Sequence, residues 1–194
     1  MNKSAKLKMI VSVAVLTINV ICTAFVYIFS IESTALKIMG SYVAIVIVSA
    51  VVWFFPMRFY VVSHIFVVFA CSLGSCINLY RHLDFYDIFV HFLSGILLFE
   101  GGRIIIEKVN KKRGLSNNRT VIGLFSFFFS SSCAAFWEIY EYLCDVIIDA
   151  DMQGSKANTM GDIIAGILGA MVSIVVLRLF LLRRDNERKN LNKN

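Results

Sequence analysis

The chain has 194 residues, 58% of them hydrophobic, with a single proline and only 16% charged residues. That composition lies outside the range of an ordinary soluble domain. The formal charge of +6 comes from short basic segments with no folded basic domain behind them, which excludes a nucleic-acid-binding module.

Six apolar runs each approach the roughly 20 residues that a helix needs to cross a bilayer core. They lie at about 9–31, 36–55, 59–79, 85–106, 120–148 and 160–182. The expected fold is all-α: a polytopic bundle of about six transmembrane helices. Residues 1–182 form one transmembrane domain, and residues 183–194 form a basic tail. The lipid bilayer is the expected partner.

The first run follows Lys3, Lys6 and Lys8. It is longer than the roughly 7–15 apolar residues of a signal peptide and lacks a clean cleavage site, so it is read as a spanning helix. Asn19 in this run and His64 in the third are expected to hydrogen-bond between helices. The cysteines at 22, 71, 76, 133 and 144 form no CxxC pair and mostly sit inside apolar runs, where they act as small hydrophobes.

The fourth run opens with Asp84 and Asp87 and carries His91 one turn further on. Asp87 and His91 are i and i+4 and therefore share a face. At its other end Glu100, Arg103 and Glu107 are spaced as an ion-pair ladder. Asn118-Arg119-Thr120 matches a glycosylation sequon, but on the cytoplasmic side of the expected topology.

The fifth run is apolar and aromatic except for Glu138, Glu141, Asp145 and Asp149. At 100° per residue these four fall within an arc of roughly 80°. Stacked carboxylates repel one another and resist burial, at about 2.5–3.5 kcal/mol each on insertion scales. Protons, a cation or basic partners must neutralise them. A polar loop through Asp151 and Gln153 then leads to Thr159 and the sixth run, where Asp162 is followed on one face by Gly166, Gly169 and Ser173. Small residues let a neighbouring helix approach closely.

With both termini inside, sixteen of the nineteen Lys and Arg residues fall on the inner side. Only Lys37, Arg81 and Lys156 fall outside. The positive-inside rule therefore places the chain N-in/C-in in the plasma membrane. Nine of the thirteen acids, including Asp87, Glu138, Glu141, Asp145 and Asp162, then lie outside or in the outer half.

Short loops make the last three spans neighbours. The expected site is an outer-leaflet pocket in which His91, Glu138, Glu141 and Asp162 ligate a metal. Asp87 would orient His91, and Asp145, Gln153 and Thr159 would complete the surroundings. Structural roles compete with this reading. Thr159-Met160-Gly161-Asp162 fits a capping box, so Asp162 would only cap its helix, and Asp84 or Asp87 would do the same for the fourth. His91 by itself would be a hydrogen-bonded structural histidine, and Asp149 and Asp151 would simply lie in water.

At Tyr86-Asp87, His91-Phe92, Gly95, Trp137-Glu138, Glu141, Asp145, Gln153, Thr159, Asp162 and Gly169 the chain resembles the YjdF-like family of bacterial integral membrane proteins. The resemblance covers residues 80–172, with Asn158 where the family pattern carries Asp. The same segment is more loosely similar to VanZ-like envelope proteins. Both resemblances imply a bacterial membrane protein, and neither implies a reaction.

Three functions compete. The first is a site for Mg²⁺, Mn²⁺ or Zn²⁺ that activates water toward an envelope lipid or lipid-linked substrate. The second is a proton- or cation-coupled transporter, which the weakly ionisable first three spans and the lack of an inverted repeat disfavour. The third is a non-catalytic envelope factor that docks a cationic ligand. No GxSxG, Walker, GxGxxG or HExxH pattern occurs.

Overall fold

The computed structural model describes residues 2–150 and 152–191, with side chains through Leu179. Every regular element among the described residues is helical. In order these are α1 (Lys3–Ile28), α2 (Ala35–Val51), a 3-10 turn (Val52–Phe54), α3 (Met57–Val67), a π-helical segment (Val68–Cys76), α4 (Leu79–His82), α5 (Tyr86–Arg113), α6 (Arg119–Ile148) and α7 (Lys156–Leu191). Among the described residues, six helical stretches are long and apolar enough to cross a membrane: Lys3–Ile28, Ala35–Phe54, Met57–Cys76, Tyr86–Arg113, Arg119–Ile148 and Lys156–Leu179. Asp151 and residues 192–194 of the basic tail, Lys193 among them, lie outside the described residues.

Local chemistry sets the helix ends. Asn2 and Thr34 accept backbone N–H groups at the starts of α1 and α2. Pro56 ends the second stretch and begins α3. Asn78 takes a left-handed conformation after the π segment and donates to the Glu32 carbonyl at 2.7 Å. The Asn118 of the sequon caps α6, accepting from Thr120 N and Val121 N. Asp149 closes α6 in the left-handed region.

The burial pattern reverses that of a soluble protein. Phe54, Phe136 and Ile147 point outward, while Asn19, Ser63, His64, Ser72, Ser126, Ser130, Glu138 and Asp162 are buried. An apolar exterior around a polar interior is what a bilayer solvent demands, because polar groups there find partners only within the protein.

The chain divides into two compact units, Met1–Val90 and His91–Asn194. In the first, α1, α2, α3 and the π segment pack around two apolar layers. One joins Val15, Ile45 and Val67, and the other joins Cys22, Val26, Ile38 and Cys76. Polar ties cross between the layers. Asn19 donates to Ser41 at 2.9 Å, as its position suggested, and His64 lies 2.9 Å from Ser49 Oγ. Lys8 Nζ donates to the Trp53 and Phe55 carbonyls at 2.5 and 2.8 Å, placing a cation on the carbonyl end of the second stretch.

In the second unit α5 meets α6 and α7 at nearly bare backbone. A Cβ on Gly95 would run into the Gly166 carbonyl, and one on Gly169 would run into the Phe92 carbonyl. Ala134 of α6 fills the remaining space against Gly166, and Ser130 donates to the Gly95 carbonyl at 2.8 Å. The expected ladder is present: Arg103 binds both Glu100 oxygens and donates to Glu107 at 2.7 Å.

Gly95→Ala and Gly169→Ala should each cost about 1–3 kcal/mol through overpacking. Gly161→Ala, whose Cβ would meet nothing within 4 Å, should match or exceed the parent because alanine is the better helix former. Thermal unfolding of the purified protein, followed by circular dichroism, separates the two classes. Equal loss in all three would refute the packing account.

Candidate functional site

The glycine contacts determine which side chains meet. Gly95, Gly166 and Ala134 form the layer where α5, α7 and α6 touch. Consecutive spans alternate in direction, so α5 and α7 run parallel and α6 runs against them. Four residues back from Gly95 is His91, four back from Gly166 is Asp162, and four on from Ala134 is Glu138. One helical turn from the contact layer, these three side chains are level with one another.

All three are buried: His91 is 6% exposed, Glu138 3% and Asp162 1%. His91 Nε2 lies 3.6 Å from Glu138 Oε1, an ion-pair distance too long for a hydrogen bond. Asp87 lies one turn before His91 on the same unbroken helix. Asp87, His91 and Asp162 each offer one ligand atom, and these atoms lie within 4.8 Å of one another. Asp87, Asp162 and Glu138 thus gather around one imidazole, and a buried carboxylate stays ionised only where opposite charge or hydrogen bonds replace its hydration.

The remaining expected site residues fall elsewhere. Glu141 is not in this donor group: it is turned about 60° around α6 from Glu138. Its Oε1 accepts from Trp137 Nε1, one turn back, at 2.8 Å. Asp145 shares the Glu138 face but holds the following loop, its two oxygens accepting from Met152 N and Gln153 N at 2.8 Å each. Gln153 therefore enters through its backbone, as a loop anchor. Thr159 is half-buried in the first turns of α7. Asp149 is exposed and its backbone caps α6.

The capping reading of Asp162 fails. Helix α7 begins at Lys156, well before Thr159, and Ser155 Oγ accepts from Asn158 N at 3.3 Å in the capping role. Asp162 is thus nearly two turns inside the helix, where its own backbone donors are satisfied.

Two contributors lacked a strong sequence signal. Ser130 fixes the α5–α6 register through the Gly95 carbonyl, yet it is one of four consecutive small residues from Ser130 to Cys133. In the first unit Ser12, Ser49, Tyr60 and His64 form a polar cluster drawn from three helices. Only His64, expected to hydrogen-bond between helices, pointed to it in the sequence.

Over residues 7–183 the chain matches a family model described as "Predicted membrane protein (DUF2238)". No curated protein and no solved structure matches it.

If Asp145 is the loop anchor, Asp145→Asn should weaken both charge-assisted bonds. Hydrogen exchange at the Met152 and Gln153 amides should then rise by about tenfold or more, while the buried stretch of α6 is unchanged. Unchanged exchange at both amides would show that the loop is held by other contacts.

Proposed function

The chain belongs to the DUF2238 family of membrane proteins, and we propose that it holds a divalent cation through Asp87, His91 and Asp162. The observation that carries this reading is the close approach of those three ligand atoms, two of them on side chains excluded from solvent. Glu138 stands against the imidazole and orients it, as carboxylates do for metal-bound histidines. A divalent ion supplies the compensating charge that the carboxylates require. One nitrogen among oxygens suits Zn²⁺ or Mn²⁺ better than Mg²⁺, whose preferred ligands are all oxygen.

By the positive-inside rule we place both termini in the cytoplasm, which puts the site in the outer leaflet of a bacterial plasma membrane. Within the family we favour the YjdF-like grouping. A bound ion would lower the pKa of a coordinated water, the chemistry needed to hydrolyse an envelope lipid or lipid-linked substrate from that side. His91 and Asp162 hold the ion, and Asp87 lies at the entrance turn of α5.

The test is titration of purified full-length protein in nanodiscs with Zn²⁺, Mn²⁺ and Mg²⁺, read by calorimetry and by metal analysis. One ion per chain is expected. Glu138→Gln should weaken affinity by about 10- to 100-fold, and loss of the ligands His91 or Asp162 should weaken it more. Glu141→Gln should bind as the parent does. No binding of any of the three ions, or equal loss in Glu141→Gln and Asp162→Asn, would sink the assignment.

A further inference from the structure

The first unit contains a second arrangement with chemical capacity. His64 is buried on α3, and its Nδ1 lies 2.8 Å from the Tyr60 carbonyl one turn back. A carbonyl can only accept, so Nδ1 carries the proton, and in the neutral ring Nε2 presents a lone pair. That lone pair faces two hydroxyls, Ser49 Oγ of α2 at 2.9 Å and Ser12 Oγ of α1 at 3.3 Å. Ser12 Oγ also lies 2.5 Å from the Tyr60 hydroxyl and 3.2 Å from Ser49 Oγ. The Ser49 hydroxyl has a second acceptor, the Ile45 carbonyl at 2.7 Å. A helix carbonyl and the imidazole thus lie within reach of its one proton.

A serine within hydrogen-bond reach of a histidine, with the histidine's other nitrogen fixed by an acceptor, is the general arrangement of an activated nucleophile. Ser49 and Ser12 are only half-buried, unlike His64. One turn before Ser49 on the same flank of α2, Val46 is exposed and apolar. That flank suits the acyl chain of a molecule dissolved in the bilayer.

We propose that Ser49 is a nucleophile toward membrane-dissolved acyl esters, with His64 as its general base. Ser49 Oγ bonds to the acyl carbonyl carbon while its proton passes to His64 Nε2. The ester C–O bond then breaks, and the leaving alcohol takes that proton from Nε2. This leaves an acyl-Ser49 ester and a neutral imidazole. Water, deprotonated by the same nitrogen, releases the carboxylic acid and restores Ser49. The Ser12 hydroxyl, 3.2 Å from Ser49 Oγ and 2.5 Å from the Tyr60 hydroxyl, would donate to the carbonyl oxygen as charge develops on it. This chemistry uses no residue of the cation site and stands or falls independently of it.

The experiment treats full-length protein in nanodiscs with a long-chain alkyl fluorophosphonate and maps the adduct by peptide mass spectrometry. Expected is one adduct on Ser49, absent in Ser49→Ala. Its rate of formation should fall at least tenfold in His64→Gln, a variant checked for unchanged helicity and monodispersity. Ser12→Ala should slow labelling without moving it to another residue. If His64→Gln does not fold, the pH profile of parent labelling decides: the rate must fall as the imidazole protonates. No adduct, an adduct on another residue, or Ser49 labelling indifferent to both His64 and pH would show a cluster that only binds helices together, and would overturn the proposal.

Discussion

Two helix backbones meeting at Gly95 and Gly166, with the Ala134 methyl group packed against Gly166, set the geometry of the second unit. In a bilayer, apolar burial gives no net drive for helix association, so helices are held by close backbone packing and interior hydrogen bonds. The Ser130 bond to the Gly95 carbonyl adds to that layer from the same small-residue surface. Once the layer forms, the side chains one turn away have little freedom. His91, Glu138 and Asp162 are brought together because of where the glycines are.

The first unit solves the same solvent problem differently. Its apolar layers around Val15 and Cys22 are ordinary helix packing, and its polar groups are distributed as pairs and a cluster instead of being gathered around a charge deficit. Lys8 is its one deeply placed cation among the described residues, and it is matched to carbonyl oxygens and to the faces of Trp53 and Tyr60. In both units buried polar side chains such as Asn19, His64 and Ser130 are met by groups on another helix, as a helical membrane protein requires.

Much of this was legible in the residues. Run length and hydropathy set the number of spans, because a helix must be long enough to cross the core. The i,i+4 spacing of Asp87 and His91, and the small face of Gly166 and Gly169, were readable for the same geometric reason. The register between helices was not readable, since it depends on which small residue of one helix meets which backbone of another. Glu138 and Glu141 therefore looked equivalent, although a 60° turn on the helix separates a buried acid from one bound to Trp137. Asp145 misled in another way. Its partners are backbone N–H groups of the loop, which carry no residue identity to read.

The π-helical segment Val68–Cys76 sets the phase of the first unit beyond its polar cluster. Its wider i→i+5 bonding turns the side chains through fewer degrees per residue than an α-helix does. The face that His64 presents upstream is thus phased separately from the face that places Cys76 beside Cys22 and Thr23. Chain length in this stretch is therefore more tightly constrained than chemical identity. Exchanges among similar side chains leave the phase intact, whereas losing one residue would relax the coil to the ordinary pitch and rotate Cys76 out of its seat beside Cys22 and Thr23.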